Sequence, residues 1–349
     1  PGILFDHKIQ HDFPFAYSAS DAFQHQIRAE AIKDAGNFRY ESAYISKGIE
    51  NAVGRYPPII YHLAVVMSYA SGIEVYDSIF FIVAFFAVIA AFIMYYTIKD
   101  FNRTVALLSL PLSILAFSFP PSLGFIWGHW PSLLSQSFLV LLFWSVMRMD
   151  MRHAYVVIAL ALSATALTHT SETIFAFMFL ALFFGIKLAA KKLGKSDIKN
   201  IAFFMIIFLA ISSYYFIIFQ GTWAKSQPYS FIIEPVWEGN PGFYIAGFGL
   251  LLVPMIAGMI FSVPRLKDLH VSLILAFAML MSGFLNYIGF GLRSFQIRFF
   301  WPICLSVFLG FGLYMLLKLI IKKWNVIYAY VLFVALVVLL AGTIKFPVM

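Results

Sequence analysis

The sequence predicts an all-α, polytopic transmembrane helical bundle, and three observations carry that expectation. Hydrophobic residues fill 62% of the 349 positions and charged residues only 11%, against about 25% charged in soluble domains. Apolar runs approaching the ~20 residues that cross a bilayer recur along the chain. The basic residues stand between those runs rather than in one patch. The net charge of +8 therefore reads as topology signals and contacts with the lipid bilayer, with no nucleic-acid partner.

Taken in order, the apolar runs give about ten spans, near 78–98, 104–118, 132–147, 153–168, 172–188, 200–219, 242–262, 270–289, 300–318 and 326–343. A further apolar stretch at 58–71 follows Tyr56-Pro57-Pro58 and is short for a crossing, so it reads as an interfacial or re-entrant helix. Two regions result: residues 1–77 as a long outer first loop with interfacial helices, and 78–349 as the transmembrane domain. The single cysteine, Cys304, lies inside an apolar run and excludes an internal disulfide.

Lys and Arg in alternating loops set the orientation. One set of loops carries Lys99, Arg103, Arg148, Arg152, Lys187, Lys191, Lys192, Lys195, Lys199, Arg265, Lys267, Lys318, Lys322 and Lys323. The opposite set, beyond residue 77, carries only Lys225, Arg293, Arg298 and Lys345. The first set is expected on the cytoplasmic side, which places residues 1–77 outside. The chain opens Pro-Gly-Ile-Leu-Phe-Asp without a signal-peptide pattern, so one more N-terminal span is expected upstream. His7, His11, His25, His62, His129 and His169 then fall outside, as do Glu172, Glu234 and Glu238. This asymmetry puts the candidate chemistry on the outer face.

Four constellations stand out there. In 20–32, Ser20 is a candidate N-cap and Phe23, Ile27 and Ala31 form an apolar stripe. Asp21, His25 and Arg28 share another face, where a carboxylate suits general-base or metal work; the plainer reading leaves His25 and Arg28 solvated. In Gly54–His62, Pro58 opens a short helix with His62 in its first turn. In Thr168-His-Thr-Ser-Glu-Thr173, His169 and Glu172 are spaced to face one another, to bind a metal with Asp21 or to orient a substrate hydroxyl. The plainer reading there is a capped hairpin with Thr170 or Ser171 as N-cap. Gly128-His129-Trp130-Pro131 reads mainly as a loop breaker. Last, Arg293 and Arg298 in Gly289–Pro302 break the positive-inside bias, and their planar donor forks suit phosphate oxygens beside aromatics that hold a lipid chain. A P-loop, a dinucleotide fingerprint and a His-Glu-x-x-His zinc motif are all missing from the sequence.

These residues resemble the GT-C superfamily of membrane glycosyltransferases, which use polyprenyl-phosphate-linked sugars. The likeness lies in Ser20-Asp21-Ala22-Phe23-Gln24-His25, in Arg55-Tyr56-Pro57-Pro58-Ile59-Ile60-Tyr61-His62, and in Arg298-Phe-Phe-Trp-Pro302. The Tyr-Pro-Pro segment is most similar to the oligosaccharyltransferase branch. The chain departs from that branch in having no Trp-Trp-Asp-Tyr-Gly sequence, no Asp-x-Asp in the first loop and no soluble C-terminal domain within these residues. The resemblance implies that Asp21 is the catalytic carboxylate and that Arg298, with Arg293, contacts the donor phosphate. His25, Arg28, His62, His169 and Glu172 are the remaining substrate or metal candidates. The expected activity is inverting transfer of a sugar from a polyprenyl-phosphate donor to a glycan, lipid or protein acceptor, by a multi-pass protein of a prokaryotic plasma membrane. A divalent metal such as Mg or Mn stays open as cofactor. The rival is a non-enzymatic handler of a lipid-linked intermediate, a flippase or assembly subunit, which keeps the arginines without needing Asp21. A solute transporter is disfavoured by the uniformly apolar spans.

Overall fold

The computed structural model describes residues 20–36, 56–223, 240–268, 270–288, 294–321 and 325–343. Among them the regular structure is entirely helical. Every apolar run read from the sequence forms a helix: α1 Ser20–Ala35, α2 Ile59–Ser71, α3 Val75–Lys99, α4 Arg103–Ser109, α5 Trp130–Val146, α6 Ala154–Ala166, α7 Thr170–Ala189 and α8 Lys195–Trp223 form the first part. The second part holds α9 Leu252–Ser262, α10 Val271–Ser282, the short α11 Ser294–Arg298, α12 Ser306–Ile320 and α13 Val326–Thr343. Among the described residues, five segments have the length and composition of a membrane crossing: Val75–Lys99, Thr170–Ala189, Lys195–Phe216, Gly249–Leu266 and Trp301–Leu319. The other runs, and the stretch after Pro58, fold as shorter apolar helices.

Prolines and glycines decide where runs break. The 104–118 run turns from α4 into a tighter 3-10 helix, Leu110–Phe117, at Pro111, whose ring carries no N–H for the helical ladder. Pro302 opens the single turn Trp301–Cys304 ahead of α12. Helix α2 starts after Pro58 and stops at Gly72, which takes a left-handed φ of 75° and returns its N–H to the Ser68 carbonyl.

Between helices, small residues permit the tightest approaches, as in membrane bundles generally. On α12, a Cβ at Gly312 would lie 1.8 Å from the Pro254 carbonyl of α9, and one at Gly310 would lie 2.0 Å from Ser109 Oγ of α4. Helix α12 is thereby clamped between α9 and α4, while α13 packs on α4 and the 3-10 helix that follows it. On the other side, α3 packs on α5, α5 on α6, and α6 on both α7 and α8. Helix α10 touches α3, α5, α7, α11 and α12, and so joins the two sides.

Helices α5 and α7 run in the same sense as α3 with respect to charge. Their last residues meet a collar in which Arg148 donates to Asp100 Oδ2 at 2.6 Å and Lys187 to Asp197 Oδ1 at 2.9 Å. A cavity of about 230 Å³ lies at this end, lined by Val146, Asp150, Lys187 and His270 among others. Their first residues meet α1 and α2 at the other end.

On α1, described from Ser20, the structure corrects the solvated reading of His25 and Arg28: the buried face is Ala22, His25, Gln26, Arg28, Ala29 and Ile32. Phe23 is 39% exposed, and Ile27 and Ala31 are only half-buried. The apolar stripe faces outward because a helix lying on a membrane protein has an apolar environment outside and a polar site beneath it.

Candidate functional site

The site forms where α1, the Tyr56-Pro57-Pro58 turn, and the first turns of α5 and α7 converge. The turn is docked by a backbone bond from Ile59 N–H to the Leu167 carbonyl, 3.0 Å, which brings Tyr56 to the loop before α7. The far end of α2 holds α1 through Tyr69 Oη, which donates to the Lys33 carbonyl at 2.7 Å.

Beneath α1, Arg28 Nη1 lies 3.4 Å from Tyr61 Oη and 3.3 Å from His25 Nδ1, and Tyr61 Oη lies 2.7 Å from the same nitrogen. Arg28 can only donate, so Tyr61 accepts from it and passes its own O–H to His25 Nδ1. The Arg28 guanidinium also sits 5.0 Å from the Tyr56 ring centre, a cation–π distance. Burial, with the charge of Arg28 beside it, holds the His25 imidazole well below its usual pKa, so His25 is neutral. Burial likewise pushes the Tyr61 phenol up. The solvated-face reading of His25 and Arg28 fails: they are 5% and 6% exposed.

Asp21 stands at the start of α1 with its side chain 38% exposed, 3.6 Å from His129 Nδ1. Two features fix that neighbour. Gly128 has φ +79°, and a Cβ there would lie 2.1 Å from the Ala22 backbone nitrogen. Only glycine permits both the turn and this approach to α1. The His129 ring then stacks on Phe299 with centres 5.5 Å apart and lies 3.1 Å from Gln296 Nε2. Trp130, fully buried, anchors the turn by donating Nε1–H to the Phe125 carbonyl at 2.8 Å.

Glu172 is fully buried. Its Oε1 accepts from Ser132 Oγ at 2.5 Å and from Gln136 Nε2 at 3.4 Å, and its Oε2 meets His169 Nδ1. Gln136 Nε2 also donates to the Gln296 carbonyl at 2.9 Å. A continuous hydrogen-bonded chain therefore links α7, α5 and α11, and through Gln296 it reaches His129 beside Asp21. The His169–Glu172 pair is formed as the spacing suggested. The capped-hairpin alternative is not, since α7 has His169 at its cap position without a side-chain cap bond.

The remaining candidates divide. His62 is half-buried in the first turn of α2, with its pKa lowered by burial; it follows Tyr61 directly and so projects from a different side of the helix. Arg298 is fully buried, donating Nε to the Gly283 carbonyl and Nη2 to Asn286 Oδ1, both at 2.8 Å, with its guanidinium 5.5 Å from the Tyr244 ring centre. Arg293 lies outside the described residues, as do His7, His11, Arg55, Glu234 and Glu238. Among the described residues, no three His, Cys, Asp or Glu side chains group to hold a metal ion.

Sequence reading placed His129 on the outer face but took its motif mainly as a loop breaker, and it missed Ser132, Gln136 and Gln296. For Ser132 and Gln136 a signal existed, since they interrupt the first turns of an apolar run. Gln296 gave none, since it meets His129 across 167 positions of chain.

No family model matches the chain, and no characterised protein matches it in sequence. Among solved structures it is similar to ArnT from Cupriavidus metallidurans. The TM-score is 0.59 at 13% identity to the crystal structure bound to undecaprenyl phosphate, and 0.62 at 14% to the apo state. Each match covers 93% of this chain and 66% of ArnT, so the chain spans just under two-thirds of that protein. The chain shares its fold with ArnT.

Proposed function

We propose that the protein is a glycosyltransferase that moves a sugar from a polyprenyl-phosphate donor to an acceptor hydroxyl at the membrane face carrying α1. The carrying observation is Asp21. It is the partly open carboxylate of the cluster, set beside His129 at the rim of a region otherwise buried. The fold it belongs to is shared with ArnT, one of whose structures holds undecaprenyl phosphate.

In this reading Asp21 takes the proton of the acceptor hydroxyl. The acceptor oxygen attacks the anomeric carbon from the side opposite the phosphate, the bond to the phosphate oxygen breaks, and the sugar inverts. The polyprenyl phosphate leaves as an anion. Arg28 and the arginines at 293 and 298 are its counter-charges. For Arg298 this has a condition: a phosphate must compete with Gly283 and Asn286 for the guanidinium. The prenyl chain lies along the apolar helices. The loop-charge asymmetry supports placing this face outside the cytoplasm.

Purified protein in nanodiscs tests the reading. Polyprenyl phosphate released from a polyprenyl-phosphate sugar, in step with glycosylated acceptor, is the expected result. Donor binding without release, retained in Asp21→Asn, overturns it in favour of a handler of lipid-linked intermediates.

A further inference from the structure

The buried carboxylate of Glu172 has no place in the transfer step just described, although burying it away from water is costly. What it does is fix His169. Ser132 and Gln136 both donate to Oε1, so the carboxylate is an acceptor, and the imidazole proton sits on Nδ1, directed at Oε2. In the tautomer with its proton on Nδ1, the imidazole leaves Nε2 as its acceptor nitrogen, and the carboxylate fixes the ring's orientation, as carboxylates do for histidines elsewhere.

The ring lies beside an aromatic side chain, and the network it belongs to is rich in acceptors. His169 keeps 7% of its surface accessible. Its ring lies 6.0 Å from Tyr56, which in turn lies 5.3 Å from His25. Within the same network, Gln136 Oε1 and Gln296 Oε1 are buried without a hydrogen-bond donor, and their amide nitrogens are already committed. Acceptors thus outnumber donors at His169, Gln136 and Gln296. An anion is a poor match for such a surface. A ligand with several hydroxyl groups is a good one, because each O–H supplies a missing donor and a sugar ring packs on aromatic faces.

We propose that His169 is a specificity-determining residue whose Nε2 accepts a hydrogen bond from a hydroxyl of the transferred sugar, and that Glu172 is the positioning residue that fixes its tautomer. The assignment rests on the glycosyl-transfer reading and adds to it which group selects the sugar.

The test uses the full chain in nanodiscs with an undecaprenyl-phosphate hexose and its set of monodeoxy forms. His169→Phe keeps a flat ring and removes the acceptor. It is expected to raise KM for the complete donor about ten- to hundredfold with a smaller change in kcat. For one monodeoxy donor, wild type and His169→Phe should have the same KM, because the hydroxyl that Nε2 reads is gone. Glu172→Gln should show the same position-selective loss, while both variants bind undecaprenyl phosphate as wild type does. Should His169→Phe fail to fold, His169→Gln, which keeps a polar atom near the place of Nε2, carries the same comparison with a smaller penalty. An equal penalty across all deoxy donors, or lost binding of undecaprenyl phosphate, overturns the assignment and leaves the transfer reading standing. If the wild type neither binds nor turns over the complete donor, the transfer reading falls, and the assignment with it.

Discussion

Helices α5 and α7 each connect two polar ends, and the two ends handle charge in opposite ways. At one end Arg148 and Asp100 pair at the surface, with side chains 26% and 44% exposed, where solvent competes with the bond. At the other end Glu172 is fully buried and takes its hydrogen bonds from a serine, a glutamine and a histidine. The first arrangement costs little and is replaceable. The second is costly to build and specifies the geometry of its neighbours down to a tautomer. Expensive polar burial in a membrane bundle is the mark expected of a functional end, whereas the larger number of charges lies at the other.

The comparison can be broken most severely at Gly128. Gly128→Ala places a Cβ where the α1 backbone stands, so α1 must move away from His129. Activity is expected to fall at least about a hundredfold, with the thermal melt of the bundle changed much less. A variant with wild-type turnover would show that the His129–Asp21 contact is dispensable. Next comes Glu172→Ala, which leaves the donors of Ser132, Gln136 and His169 without their acceptor and is expected to cost about 1–3 kcal/mol of stability. Thermal or denaturant unfolding in detergent reads that loss.

A pH series sharpens the same contrast. The folded-state pKa of His25 lies below its unfolded value, chiefly through burial. Below a pH of about 6.5 the unfolded chain therefore binds more protons than the folded one. Stability contributed at His25 is complete above that pH and declines as pH falls. His25→Gln is expected to flatten this slope, and an unchanged slope contradicts the neutral, buried assignment. The smallest effect belongs to the surface end: Asp100→Asn should change stability by about 0–1 kcal/mol and leave turnover unaltered.

The helices were legible in the sequence because bilayer-length apolar runs and prolines are local signals, and the order of elements follows from them. The His169–Glu172 pair was legible for the same reason, being three residues apart on one turn. What could not be read is the joining of parts. Gln136 meets the Gln296 carbonyl across 160 positions, and no periodicity marks such a contact. The faces of α1 were not legible, because the plainer reading leaves His25 and Arg28 solvated, as on a helix in water. In a protein with an apolar surround, the buried face of that helix carries His25, Gln26 and Arg28 instead. Gly128 looked like a loop breaker, and its second task, clearing space for Ala22, exists only in three dimensions.

Asp21→Asn tests the central claim most directly, because it removes the base and keeps the shape and the contact beside His129. Turnover of a polyprenyl-phosphate sugar and binding of undecaprenyl phosphate should be measured on the same preparation. Binding and thermal stability close to wild type, with transfer reduced at least about a hundredfold, is the expected result. Full transfer by Asp21→Asn would contradict the account and remove Asp21 from the mechanism.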